Sequence, residues 1–160
     1  MELLGKRFIP RLISNEITVG RCTAINKGEI TVFGGEQKRP NLHIEDMTDL
    51  YLFLLAQPGE KVHRKIYNVG HENYRVREIA EIVRDTLGGN IPIVTTPTND
   101  KRSYHVSSRK IKEELGFEAK HTVREAVEDL CEAFDKGQLP ESLDNEMYFN
   151  IKRMQSLKLS

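Results

Sequence analysis

The chain has 160 residues, and its 24 Lys and Arg balance 24 Asp and Glu, so the formal net charge is zero. A chain of this length can bury a core of its own in one domain. Without a basic surplus it has no general attraction for nucleic acid or an anionic membrane surface, and any anionic partner must be met by a local cluster.

The charged start Met1-Glu2-Leu3-Leu4-Gly5-Lys6-Arg7 lacks the apolar centre of a signal peptide, and no later run is long enough to span a bilayer, so a cytoplasmic location is expected. A first helix is predicted from Phe8 to about Ile25, with Pro10 in its opening turn, Ile9, Ile13 and Ile17 on one face, and Asn26-Lys27-Gly28 as its stop. Cys22 in this helix and the distant Cys131 have no second pair of ligands nearby, which excludes a disulfide scaffold or zinc site and leaves two buried thiols.

Ile30-Thr31-Val32-Phe33 reads as a strand that ends in Gly34-Gly35. A polar loop then carries Lys38-Arg39-Pro40, His43-Ile44 reads as a short extended piece, and a buried helix follows over Met47 to Ala56, with Glu45 or Asp46 near its positive end. Gln57-Pro58-Gly59 closes that helix. Lys65 to Gly70 has the composition of a strand. Val76 to Leu87 is the best amphipathic helix, with Val76, Ile79, Ala80, Val83 and Leu87 at helical spacing and Gly88-Gly89 as its stop.

A strand over residues 91–96 must place Pro92 at an edge or at its start. After the polar loop 99–106, Ser107 or Ser108 can cap a helix from Arg109 to Leu115 that Gly116 stops. Thr122-Val123-Arg124-Glu125 is a capping box, and the helix behind it should bury Val123, Ala126, Val127, Leu130 and Phe134. The tail 138–160 is polar, with a short helix expected around Asn150 to Leu157. Few strands among several helices imply an α/β fold with a small partial sheet, parallel or mixed, and flanking helices. The expected division is a domain over 1–137 and a tail over 138–160.

Glycines at a strand's end, followed by basic residues, can bring backbone N–H groups and a guanidinium to one anion. Arg39 is stiffened by Pro40 and can grip a diphosphate through two parallel hydrogen bonds; the bland alternative is a surface arginine. Arg102, beside Lys101, is the natural second clamp, and by itself would be a solvated loop charge. His43 lies between Leu42 and Ile44 and reads as structural rather than catalytic. His63, His71, His105 and His121 show no metal-ligand spacing with an acidic third member, so no metal is expected. Tyr148 and Lys152 match Tyr-x-x-x-Lys in a polar tail, and no Gly-x-Gly-x-x-Gly occurs, so the match is read as coincidence and no catalytic set is assigned.

Four blocks occur in order: residues 34–46, Ile66-Tyr67-Asn68-Val69-Gly70, Asp100-Lys101-Arg102-Ser103-Tyr104 and Leu115-Gly116-Phe117. Together they resemble the C-terminal part of the extended short-chain dehydrogenase/reductases, the NAD-dependent nucleotide-sugar epimerases and dehydratases. The resemblance runs from about Phe8 to Phe134. It implies the C-terminal lobe of that fold, which holds a nucleoside diphosphate sugar. It also implies that Arg39 and Arg102 grip the phosphates, while Thr31 and Phe33 face the base and ribose largely through backbone contacts.

Asn41 stands where the family has an aromatic residue, and Arg75 where it has a hydroxyl cap. The family's glycine loop and Tyr-Lys set find no counterpart in these residues. The resemblance therefore implies a catalytically incomplete substrate-binding part, isolated by truncation or a split gene, with no cofactor of its own and NAD(P) only for the complete enzyme. The partners expected are a nucleoside diphosphate sugar and either further copies of the chain or a separately encoded Rossmann half. The alternative is a non-enzymatic interaction or regulatory module that kept the fold.

Overall fold

The computed structural model describes Ala24 and residues 28–100, 102–141, 145–146 and 150–157. The predicted first helix lies outside the described residues except for Ala24, as do Cys22, Lys101 and Tyr148. In order come β1 (Ile30–Phe33), β2 (Lys38–Asn41), α1 (Ile44–Leu55), the single turn α2 (Gly59–Val62) and β3 (Glu72–Arg75). They are followed by α3 (Val76–Thr86), β4 (Ile93–Thr96), α4 (Arg109–Leu115), α5 (Val123–Asp135) and α6 (Asn150–Ser156). β1 pairs in parallel with β4, Ile30 opposite Ile93, and β2 pairs antiparallel with β3, Arg39 opposite Tyr74. The architecture is α/β with a small parallel sheet and flanking helices, as expected.

β1 starts just after Gly28, whose positive φ and N–H bond to the Ala24 carbonyl form the glycine stop read from the sequence. Its pleat turns Ile30 and Val32 into the core, where they meet Val76, Ile79, Ala80 and Val83 of α3 and Val123, Ala126, Val127 and Leu130 of α5. These are the faces that the helical spacing predicted, except that Ala133 takes the inner position on α5 and Phe134 is only half-buried. Pro92 sits just before β4 and its carbonyl accepts the Ile30 N–H at 2.9 Å, so the sheet asks nothing of its missing donor. The capping box of α5 is closed. Thr122 Oγ1 accepts the Glu125 N–H at 3.2 Å, and Glu125 Oε2 accepts the Thr122 N–H at 2.6 Å.

Three local expectations are corrected. Residues 65–70 are not a strand, and Ile66 is 81% exposed. Alternating chemistry favours a strand only where a neighbouring backbone is available, and here the peptide groups of Gly70 are bonded by the Ser108 hydroxyl instead. The His71 N–H then reaches the Asn41 carbonyl at 2.9 Å, which delivers the chain to β2 and starts the strand at Glu72. The same engagement explains why Ser108, at the N-cap position of α4, makes no side-chain cap. Lys38–Asn41, read as loop, is the strand that β3 completes. Finally, α1 begins at Ile44 because the His43 imidazole itself caps it, Nδ1 accepting the Glu45 N–H at 3.2 Å.

Candidate functional site

The turn between β1 and β2 is fixed by the side chain of Gln37, whose Oε1 accepts the Gly35 N–H and whose Nε2 donates to the Phe33 carbonyl, both at 2.7 Å. The Gly34 N–H donates to the Thr96 carbonyl at 2.9 Å. Both glycine amides are therefore engaged within the fold, which corrects the expectation that they face an anion. The glycines serve shape instead. A Cβ at Gly34, where φ is +82°, would lie 2.6 Å from Thr98 Cγ2.

Arg39 lies on β2 rather than beyond a strand's end, and its side chain is only 14% exposed. Its Nη1 donates to the carbonyls of Lys38 at 3.1 Å and Arg102 at 2.5 Å, and its Nη2 to Asp100 Oδ2 at 3.2 Å. Its guanidinium carbon lies 5.7 Å from the centre of the Tyr104 ring. Arg102 is 80% exposed and grips the same carboxylate with both arms of its fork, Nε and Nη2 each at 2.8 Å, while its N–H reaches Asp100 Oδ1 at 3.1 Å. The side-chain and backbone hydrogen bonds of Arg102, with the charge of Arg39 beyond them, hold the Asp100 carboxyl far below the usual carboxylate range. The loop carrying these groups is fastened on both sides. Lys38 N–H donates to Ser103 Oγ at 3.0 Å, and the Asn73 amide bonds both peptide groups of Val106, at 2.8 and 3.1 Å.

A cleft of about 220 Å³ opens beside this cluster, lined by Thr31, Phe33, Gln37, Arg39, Thr98 and Asp100 together with Ile30, Val32, Val76 and Ala80. The structure brings Thr31, Phe33 and Arg39 to one cleft. Arg102 is not in its lining and joins it only through Asp100. In a parallel ladder alternate residues address the partner strand. Ile30 donates to the Pro92 carbonyl just before β4 and Gly34 to that of Thr96, so the peptide groups of Thr31 and Phe33 point away from β4, where the Phe33 carbonyl accepts Gln37 Nε2.

Residues 2–70 match the family model described as the NAD dependent epimerase/dehydratase family. The match supports the NAD-dependent epimerase/dehydratase family. A UDP-glucose 4-epimerase of Corynebacterium glutamicum is 33% identical over 99 residues, which are 59% of this chain and 30% of that protein. The dTDP-glucose 4,6-dehydratase of Bacillus anthracis superposes with a TM-score of 0.65 at 21% identity, over 78% of this chain and 40% of that one. The UDP-glucose 4-epimerase of Bifidobacterium longum, solved with NAD+ and UDP, gives 0.62 at 19% identity over 79% and 41%. The L-threonine 3-dehydrogenase of Trypanosoma brucei gives 0.67 at 12% identity over 77% and 40%. At such identities these likenesses show the fold. The chain spans less than half the length of each of these relatives.

Apart from Thr31, Phe33, Arg39 and Arg102, to which the resemblance gave roles, the structure assembles a second polar cluster. Asp46 is 2% exposed, and its carboxylate accepts the N–H groups of Lys120 at 3.0 Å and His121 at 2.9 Å. It also meets His121 Nδ1 at 3.0 Å; an ionised carboxylate only accepts, so Nδ1 carries the proton. Burial alone would push the Asp46 carboxyl up, but these hydrogen bonds together bring it below its ordinary value. The same bond to Asp46, with Glu45 near by, raises His121.

The His43 and His121 rings lie 5.0 Å apart. His43 Nε2 is buried 3.3 Å from Asp129 Oδ2, close enough for a charge pair but without hydrogen-bond alignment. His43, Glu45 and His121 are near enough to one another to share a cation. The tautomers oppose it, since His43 Nδ1 accepts the capping N–H and its proton therefore sits on Nε2, the atom a metal would need. The cluster instead ties α1 to the turn before α5. One signal in the sequence points to it: Asp46 and Leu50, four apart and both buried, share the inner face of α1.

Proposed function

We propose that these residues form the substrate side of an NAD-dependent epimerase/dehydratase fold and bind a nucleoside diphosphate sugar in the cleft along β1. Residues 1–137 make up this substrate-binding domain, with 138–160 as its tail. The observation that carries the reading is the juxtaposition of the outward-facing peptide groups of Thr31 and the N–H of Phe33 with the Arg39–Asp100–Arg102 cluster. The first can read the edge of a base by hydrogen bonds, and the second can meet a diphosphate. UDP in a structural relative of the same fold, a UDP-glucose 4-epimerase, supports that choice of ligand.

These residues do not fit NAD(P). The sequence has no dinucleotide glycine fingerprint, and the amides of Gly34 and Gly35 are already bonded. We therefore assign the domain binding without redox chemistry. Titrating UDP-, dTDP-, GDP- and CDP-glucose by calorimetry checks this: heat of binding with at least one is expected, and no heat from any at millimolar ligand would remove the claim.

Association belongs to the same reading. Tyr51, Leu52 and Leu55 of α1 are 63%, 62% and 83% exposed, and Ile66 is 81% exposed, a set of large apolar side chains that a partner surface would cover. Light scattering is expected to give a mass above that of one chain, whereas a monodisperse monomer at high concentration would count against self-association. No helix among the described residues is long and apolar enough to cross a membrane, and we place the protein in the cytoplasm. The second reading, an interaction module that has lost its ligand, predicts the same association with no nucleotide heat.

A further inference from the structure

We propose that Asp100 is an internal counter-anion of the arginine pair, which a phosphate group of the ligand must replace when it binds. The inference rests on the reading of the cleft as a nucleoside diphosphate sugar site and adds a competitor inside it. Four N–H donors converge on the one carboxylate: Arg39 Nη2 at 3.2 Å, Arg102 Nε and Nη2 at 2.8 Å, and the Arg102 amide at 3.1 Å. They come from two elements, β2 and the loop after β4. Convergent donors of that kind form a cradle for an oxyanion, and here the chain's own side chain fills it.

The remaining geometry narrows the alternatives. Arg39 Nη1 donates to the backbone carbonyls of Lys38 and Arg102, which fix its guanidinium in place rather than leave it to turn toward a ligand. The arms that Arg39 Nη2 and Arg102 Nε and Nη2 would offer an anion are those already on Asp100. That carboxylate lines the cleft and keeps a third of its side chain in solvent, so it can swing away without crossing a packed interior. A phosphate brings more charge and more acceptor oxygens than the carboxylate it displaces, and the displaced group regains water. Without a ligand, Asp100 keeps the two guanidinium groups from repelling each other.

Two measurements on the full chain test the exchange, with UDP and inorganic pyrophosphate as probes. In calorimetry Asp100→Asn should bind both more tightly than the wild type, by roughly fivefold for one like charge removed near the phosphate. Unchanged or weaker binding by a folded Asp100→Asn protein would overturn the proposal, since it would make Asp100 a positioning residue. Binding by neither protein would overturn both this proposal and the nucleotide reading. Binding by Asp100→Asn alone would support a sealed cradle. The second measurement needs no variant. Saturating UDP should speed hydrogen exchange at the Arg102 amide, which loses its bond to Asp100, and unchanged or slower exchange there would sink the idea even if the variant failed to fold.

Discussion

Replacing Asp46 by alanine is expected to lower the unfolding free energy by about 3 kcal/mol, measured as a shifted midpoint in urea at constant slope. The carboxylate is almost fully buried and holds two backbone N–H groups and one imidazole. Alanine strands those donors in a site closed by α1, and each buried donor left without a partner costs about 1–3 kcal/mol. Asp46→Asn should recover part of the loss, because the amide oxygen can still accept one of the backbone bonds.

The pH profile gives a second reading of the same pair. The folded Asp46 carboxyl lies below its unfolded value of about 3.9, so its contribution is full above that pH and is lost as pH falls through the folded value. His121 is shifted the other way. Its contribution is full below the unfolded value of about 6.5 and is lost as pH rises through the higher folded value. The stability difference between wild type and Asp46→Ala should therefore be greatest between about pH 4 and 6.5 and shrink on both sides. The alkaline side should shrink less, because His121 is a third exposed and solvent screens its share.

What could be read from the sequence follows from the range over which each signal acts. α3 and α5 were legible because their evidence is local: helical spacing, for α3 a glycine stop and, for α5, a capping box whose two bonds the structure closes. β1 was legible from β-branched residues that needed only one neighbour. The misplaced strand at 65–70 and the unread strand at 38–41 depend on which backbones come together. That choice was made by Ser108, thirty-eight residues from Gly70, and by Asn41, which receives the His71 N–H. The site divides in the same way. The sequence could name Arg39, Arg102, Thr31 and Phe33, but not that Gln37 would engage the glycine amide or that Asp100 would bind both arginines. Polar side chains that bond to distant backbone leave no periodic trace.

Arg39→Ala should weaken UDP binding by about 30-fold, the loss of a charge-assisted hydrogen bond of about 2 kcal/mol. The effect has two sources. One is direct, the loss of Nη2 from the cradle. The other is positional, because Arg39 Nη1 ties the Arg102 carbonyl to β2 and so holds the loop that brings Asp100 and Arg102 to the cleft. Arg39→Lys separates them. A single ammonium keeps the charge but cannot span two carbonyls and a carboxylate with the fixed fork of a guanidinium, so it should restore less than half of the lost free energy. Hydrogen exchange at the Tyr104 and Val106 amides should rise in the alanine variant as the loop loosens. If affinity falls while those amides stay protected, the positional share is absent. If affinity does not fall at all, Arg39 is a fastener of the fold and the nucleotide reading loses its main cation. The arginine also sets what Asp100 can do: in an Arg39→Ala background, Asp100→Asn removes a carboxylate that only Arg102 still holds, so its tightening of UDP binding should shrink.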